Sequence, residues 1–383
     1  LGHQGYVLTA PPMALNDISA NDLIDNEELP EGLTISELNA PKILRSFWRM
    51  PVRRSKVLKK GLVSVTSFNQ IRRFIVKEKI DLLLLYNLPQ APLLHLAECH
   101  THFDLADDLV AMMEVELGVI AKAGMMAAAN AMQKHMLARA ETITVASSVL
   151  AEQIKRPVLM LPNGADVDEL DLIDDREWRS QKSGPTVGFV GAFEYWVDFD
   201  LILDTAARLP HVTFLLVGSG RRLKDINRKI AELCLTNVVL TGAKPYREAM
   251  SYVAGMDVCL LPFTKDAVAD GSCPLKLFEY AAFRKPIVST HTREVGRIGQ
   301  DWIAFADDAA TFAGAIESFL ADKHASAHAG EAGRAMVEQL YNWPNLTRQF
   351  EELLLKRAVP GFEPARTRRL VLETLASDLG TQP

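Results

Sequence analysis

Long apolar runs, paired cysteines and the phosphate-binding loops of nucleotide hydrolases are all missing from this chain, and each absence removes a class of protein. No window of its 383 residues approaches the ~18 consecutive apolar residues of a membrane-spanning helix. The four cysteines, Cys99, Cys234, Cys259 and Cys273, stand far apart with no CxxC pair. That spacing argues against a zinc site or a disulfide framework and suits reduced thiols in the cytoplasm. No GxxxxGK[ST] loop occurs, which sets aside a P-loop hydrolase. No GxGxxG occurs either, which disfavours a dinucleotide-binding dehydrogenase. No secretory signal is visible: Leu1-Gly2-His3-Gln4-Gly5-Tyr6-Val7-Leu8 reads as the interior of a domain, the end of a first helix followed by a second strand. The net charge of −6 gives no support to nucleic acid as a partner.

What is present is the composition of a soluble globular protein, 48% hydrophobic and 23% charged, and long enough for about two domains. Charge is uneven along the chain. Residues 1–41 hold Asp17, Asp22, Asp25, Glu27, Glu28, Glu31 and Glu37 with no Lys or Arg, whereas residues 38–77 are basic with no acid. Within 41–63, Lys42, Arg45, Arg49, Arg53, Arg54, Lys56, Lys59 and Lys60 are interleaved with Ile43, Leu44, Phe47, Trp48, Met50, Val52, Val57 and Leu58. A basic stretch with aromatic and apolar residues between the charges suits an anionic membrane surface, at about 1 kcal/mol per basic residue. A solvated helix packing its apolar face on its own sheet is the bland alternative.

Short apolar runs at 80–86, 142–146 and 158–161 read as buried parallel strands, with a long helical stretch over about 107–140. After a polar segment at 174–185, strands are expected at 186–190, 212–217, 237–240, 258–261 and 286–289. Helices are expected between and after them at about 199–209, 221–234, 246–255 and 274–284. Strand alternating with helix at this spacing gives a parallel sheet with right-handed crossovers. Two doubly wound domains joined near residue 180 follow, with ligands expected beyond the carboxyl ends of the strands.

Several of those strand ends carry glycine: Gly188 and Gly191, Gly218 and Gly220, Gly242. Glycine there permits a sharp turn or close approach to a ligand. At 272–282 a helix start is written out, with Ser272 as cap candidate, Pro274 in the first turn, and Lys276 and Glu279 three apart on one face. Such a terminus suits a phosphate, and a carboxylate one turn on suits a pair of sugar hydroxyls. A buried amphipathic helix with a surface ion pair is the bland reading.

Residues 186–294 resemble the donor-binding half of the group 1 (family 4) glycosyltransferases of GT-B fold. The resemblance rests on Val187-Gly188-Phe189-Val190-Gly191, Phe214-Leu215-Leu216-Val217-Gly218-Ser219-Gly220 and Asn237-Val238-Val239-Leu240-Thr241-Gly242. Lys244-Pro245-Tyr246, Asp257-Val258-Cys259-Leu260-Leu261-Pro262-Phe263 and Pro274-Leu275-Lys276-Leu277-Phe278-Glu279-Tyr280 follow in the family's order. The first half is similar through Phe103-Asp104-Leu105-Ala106-Asp107-Asp108, Ala146-Ser147-Ser148 and Leu161-Pro162-Asn163-Gly164-Ala165-Asp166, and the terminal Asn342-Trp343 also fits.

The resemblance implies an α/β protein of two Rossmann-like domains facing across a cleft. An acceptor-side domain would occupy 1–178, reading as one without its first strand and helix. A donor domain would occupy 184–360, and a tail at 361–383, with a helix near 366–379, would pack back on the first. It also implies a retaining transfer from a nucleotide-diphosphate sugar, of UDP or GDP type, to a saccharide or lipid-linked acceptor. No metal and no further cofactor are implied, and the acidic pairs at 107–108, 174–175 and 307–308 read as surface or capping acids. Glu279 would hold the donor ribose as the second acid of an E-x7-E motif, whose first acid is replaced at Ser272. The loop Ala192–Asp198 lacks the cations the family uses for the diphosphate, which assigns that charge to Lys276 with Arg221. Pro274, Leu275, Gly191, Gly218 and Tyr246 complete the donor set. Asp104, then His102, would act beside the transferred sugar, while Asn163, Gly164 and Trp196 would shape the cleft. Arg45, Trp48, Arg49, Arg53, Arg54, Lys59 and Lys60 would face the membrane or acceptor, on the inner face of the cell membrane. A nucleotide-sugar 2-epimerase on the same fold and a non-catalytic two-lobed binding protein are the alternatives. An epimerase would call for several acids and histidines at the sugar, which Ser272 does not supply.

Overall fold

The computed structural model of the chain describes residues 5–9, 33–37, 64–96, 98–116, 122–174 and 184–358. By internal packing the chain forms two units: Leu1–Leu105 with Met112–Ile143, and Ala106–Ala111 with Thr144–Pro383. The sequence places its joint near 180. The packing places residues 144–174 with the second unit because their side chains bond to its helices, as set out below.

In the first unit, β1 (Gly5–Thr9) and β2 (Leu33–Glu37) pair in parallel as a separate two-stranded sheet. A second, four-stranded sheet runs β3 (Leu82–Leu85), β4 (His100–Leu105), β5 (Thr142–Val145) and β6 (Leu159–Met160), in that order, with β6 and the last two residues of β5 counted in the second unit. The stretch expected as one helix over 107–140 contains two helices among its described residues, Leu109–Glu116 and Lys122–Arg139. The basic segment 41–63 and residues 361–383 lie outside the described residues.

The second unit is built on six parallel strands: β7 (Thr186–Val190), β8 (Thr213–Val217), β9 (Val238–Gly242), β10 (Val258–Leu261), β11 (Ile287–Ser289) and β12 (Ile303–Phe305). Their order is β12-β11-β10-β7-β8-β9. β12 is not among the strands that the sequence pattern suggests. Side chains alternate between faces, as the pleat requires. Val187, Phe189, Phe214, Leu216, Val258 and Leu260 pack with Phe199 and Ile202 of the Phe199–Arg208 helix and with Phe312 and Ile316 of Ala309–Ala321. Val190, Leu215, Val217, Cys259 and Leu261 pack on the other face with Met250 and Val253 of Tyr246–Gly255, and with Leu277, Phe278 and Ala281 of Leu275–Ala282. Both faces are covered, which is why these strands read as continuous apolar runs rather than as alternating ones. From β7 the chain winds one way through β8 and β9, then returns to β10 and winds the other way. The switch point lies between β7 and β10, and a ligand of such a sheet binds beyond the carboxyl ends of those two strands.

Candidate functional site

The carboxyl ends of β7 and β8 are pressed together by backbone alone. Gly191 N–H donates to Val217 O at 3.0 Å, Phe193 N–H to Ser219 O at 2.9 Å, and Arg222 N–H to Phe193 O at 2.9 Å. Gly218 has φ +148°, and a Cβ there would stand 1.9 Å from Gly191 O. Gly218 is therefore required by the contact between the two loops, whereas a Cβ on Gly191 would meet the Phe189 ring of its own strand at 3.0 Å. In the following loop Glu194 pairs with Arg221, whose guanidinium lies 5.2 Å from the centre of the Tyr195 ring. The Arg221 charge is thus shared with a carboxylate. Trp196 is half-buried, edge-on to Tyr195 at 4.8 Å, and its carbonyl accepts the Thr264 N–H at 3.0 Å, which is a packing position.

The helix Leu275–Ala282 begins one step later than its sequence suggests. Ser272 closes the preceding short helix Ala267–Gly271, and Pro274 stands at the cap position of the next with no side-chain cap bond. Seven residues, Ser272 to Phe278, separate Gly271 from Glu279. The first acid of the E-x7-E spacing therefore corresponds to Gly271 and not to Ser272. Tyr280 anchors the helix to the sheet, its hydroxyl accepting the Val190 N–H of β7 at 2.8 Å, while Phe278 stacks on Tyr341 at 4.7 Å. These two contacts turn the Glu279 side chain inward, where 1% of it is exposed.

Glu279 is the chemical centre of this element. Its Oε2 accepts from Lys276 Nζ at 2.7 Å, the pairing that a three-residue spacing on a helix predicts. Its Oε1 is buried with no hydrogen-bond partner of good geometry among the described residues, although the Tyr246 hydroxyl lies against the same carboxylate. An orphaned buried carboxylate oxygen is costly, about 1–3 kcal/mol or more, and marks a place where a donor is wanted. Tyr246, at the start of the helix after β9, stands at its edge, 42% exposed. Burial and then the Glu279 carboxylate hold its phenol pKa above the ordinary value. Lys276, Glu279 and Tyr246 thus come together with the first turn of the 275–282 helix, where Leu275 is exposed. Arg221 is engaged elsewhere, with Glu194.

Asn163 and Gly164, expected to shape a cleft, are placed by the same helix and its neighbours. Asn163 Nδ2 donates to Cys273 O at 2.6 Å. Gly164 meets residue 341, since a Cβ on it would lie 2.2 Å from Tyr341 O. Three further residues are prominent that the sequence did not single out for a role. Ser147, fully buried, donates to Gly271 O at 2.7 Å. Glu294 is buried and accepts from Ser148 N–H at 3.0 Å and Ser148 Oγ at 2.6 Å. Arg334 grips both oxygens of Asp171, at 2.8 and 2.7 Å, and donates to Ala282 O at 2.7 Å. Their partners lie more than 50 residues away in the chain, so no local pattern reveals them.

In the first unit, His100, His102 and Asp104 lie on one side of β4, spaced by two. They are spread along the strand rather than gathered at its end. His102 is fully buried. Its Nδ1 lies 2.9 Å from Thr142 Oγ1, which His100 Nε2 also meets at 3.0 Å. A hydroxyl has one proton, so at least one imidazole must donate to it. Burial, reinforced by His100, pulls the His102 pKa down to about 4. Asp104 is partly exposed. Among the described residues no group of three or more His, Cys, Asp or Glu side chains could hold a metal ion, and no helix is long and apolar enough to cross a membrane.

Sheets of parallel strands, one of them in the doubly wound order with a buried carboxylate on a helix that follows β10, define the class. The fold is that of the GT-B glycosyltransferases. Residues 184–322 match the model of the family described as Glycosyl transferases group 1. The chain is 26% identical over 179 residues to a putative teichuronic acid biosynthesis glycosyltransferase of Bacillus subtilis (strain 168), a match over 44% of this chain and 45% of that one. The matched region thus spans less than half of that relative. In structure the chain resembles sucrose-phosphate synthase from Thermosynechococcus elongatus, with a TM-score of 0.72, 17% identity and coverage of 91% of this chain and 87% of the other. It also resembles an Anabaena protein crystallised with UDP and glucose, with a TM-score of 0.65, 14% identity and coverage of 85% and 86%.

Proposed function

We propose that this protein transfers a sugar from a nucleotide-diphosphate sugar to a saccharide or lipid-linked acceptor in cell-surface polysaccharide or glycolipid synthesis, with retention of configuration and without a metal ion. The observation that carries the reading is the buried Glu279, with one oxygen on Lys276 and the other awaiting a donor. A pair of ribose hydroxyls supplies that donor. The first-turn N–H groups of the 275–282 helix and the Lys276 ammonium face the diphosphate, which a helix N-terminus favours. In the transfer the bond from the sugar carbon to the diphosphate oxygen breaks and a bond to the acceptor oxygen forms. The acceptor proton passes to the departing phosphate. No protein nucleophile is needed, and catalysis rests on positioning and on holding the leaving group. Support also comes from the teichuronic acid relative and from the Anabaena protein bound to UDP and glucose. On the acceptor side Asp104 is the stronger candidate, because it keeps partial exposure while His102 is fully buried.

Calorimetric titration with UDP, GDP and their sugars tests this reading. Wild-type protein is expected to bind one of the two series. Glu279→Gln should weaken that binding about 10- to 100-fold, the equivalent of one or two hydrogen bonds to a charged group, and the 2′-deoxynucleotide, which keeps one of the two hydroxyls, should lose less on the same substitution. Binding of no nucleotide by the wild type overturns the proposal in favour of a non-catalytic binding protein. The acceptor side is proposed to include an anionic membrane surface met by residues 41–63.

A further inference from the structure

The loop that leads into the 275–282 helix shows how its polar groups are sorted. Gly271 O is taken by the buried hydroxyl of Ser147, at 2.7 Å. Cys273 O is taken by the Asn163 amide, at 2.6 Å. Pro274 O accepts the Leu277 N–H, at 3.1 Å. Three carbonyl oxygens around the helix start are thereby tied back into the protein. The N–H groups of Leu275 and Lys276, which belong to the first turn, have no helical acceptor, as at every helix start. Carbonyl oxygens facing a phosphate would repel it, and N–H groups attract it. The sorting converts a loop of mixed polarity into a face of donors, next to a carboxylate that itself lacks one partner.

Ser147 and Asn163 are held in register for this task. Ser147 also caps the Ser148–Glu152 helix, its oxygen accepting the Leu150 N–H at 3.2 Å. Glu294 fixes the same helix start through the Ser148 N–H and hydroxyl, and Arg297 ties its far end to Glu152. Asn163 stands just before Gly164, whose lack of a side chain lets residue 341 close behind it. The two donors thus sit on a braced support, not on mobile loops.

We infer that Asn163 and Ser147 are positioning residues for the diphosphate of the donor, acting through the carbonyls of Cys273 and Gly271 rather than by touching the ligand. The inference rests on the donor-site reading above. Asn163 is the cleaner test, since Ser147 also caps a helix. Asn163→Ala should raise the Kd for the nucleoside diphosphate about 10-fold and leave the Kd of the corresponding nucleoside within twofold. Asn163→Asp, which sets a carboxylate against the Cys273 carbonyl, should weaken the diphosphate further still. Both variants are checked for an unchanged circular-dichroism spectrum, and the nucleoside titration serves as an internal control of folding. Equal loss of nucleoside and diphosphate would mean a merely structural role and overturn the inference. So would unchanged diphosphate binding in either variant. If wild-type protein bound no nucleotide, the donor-site reading itself would fall, an outcome distinct from these two.

Discussion

At the scale of single residues, two buried ionisable side chains behave oppositely. Glu279 is retained at 1% exposure by one lysine, so removing that lysine exposes what the pair costs. Lys276→Ala leaves the carboxylate without its partner and should lower stability by about 1–3 kcal/mol. Bound nucleotide should restore less stability to the variant than to the wild type, because the diphosphate loses a cation. Thermal unfolding with and without the nucleotide checks both statements, and an unchanged ligand-induced shift would remove Lys276 from the donor site. His102 is buried, and that burial draws its pKa from 6.5 to about 4. Below pH 6.5 the unfolded chain takes up a proton that the folded chain refuses until about pH 4. Stability therefore falls as pH drops through that window, by on the order of 3 kcal/mol at its lower end. Urea melts at pH 7 and pH 4.5 should show the loss, and His102→Gln should lose less over the same interval.

At the scale of elements, the 275–282 helix is fixed at both ends by residues distant in the chain. Its entry is held by Ser147 and Asn163, and its exit by Arg334, which is 5% exposed and bonds Ala282 O as well as Asp171 and Glu338. Arg334→Met keeps the stem but orphans the carbonyl and one partly exposed carboxylate pair. A loss of about 2–4 kcal/mol is expected, read as a lower urea midpoint. The glycine loops are as constrained. Gly218→Ala sets a methyl group 1.9 Å from Gly191 O, so the β7 and β8 loops must separate. We expect at least 1–3 kcal/mol of destabilisation together with loss of nucleotide binding, measured by thermal shift and titration. The alternation of strand and helix that brings these loops to one edge was legible in the sequence. The strands at 186–190 and 258–261 and the helix at 246–255 stand where periodicity puts them, because both faces of that sheet are covered and its strands are uniformly apolar. The cap of the 275–282 helix was misplaced. Ser272 has the chemistry of a cap, yet the preceding turn of helix uses it as an end.

At the scale of the whole molecule, charge is the property that local structure does not predict. The chain carries −6 overall, so attraction to an anionic surface has to come from a local concentration, and residues 41–63 are the concentration it has. Sedimentation with vesicles should show binding that requires anionic lipid and weakens with salt. Replacing Arg49, Arg53, Arg54, Lys59 and Lys60 with Gln should abolish it, and equal binding to neutral vesicles would contradict the membrane reading.

By itself the sequence determined the alternation of elements, the winding of the second sheet and the position of the Lys276–Glu279 pair. All of these depend on spacings within a few residues, where backbone geometry leaves few choices. The tertiary structure alone decided which oxygens of the loop before the 275–282 helix are occupied and how the helix is braced. Asn163 lies 110 residues from its carbonyl partner, Ser147 lies 124 from its own, and Arg334 lies 163 from Asp171. No local propensity encodes such contacts. They form when two apolar faces pack and bring otherwise unrelated polar groups within bonding distance, where burial leaves each of them in need of a partner.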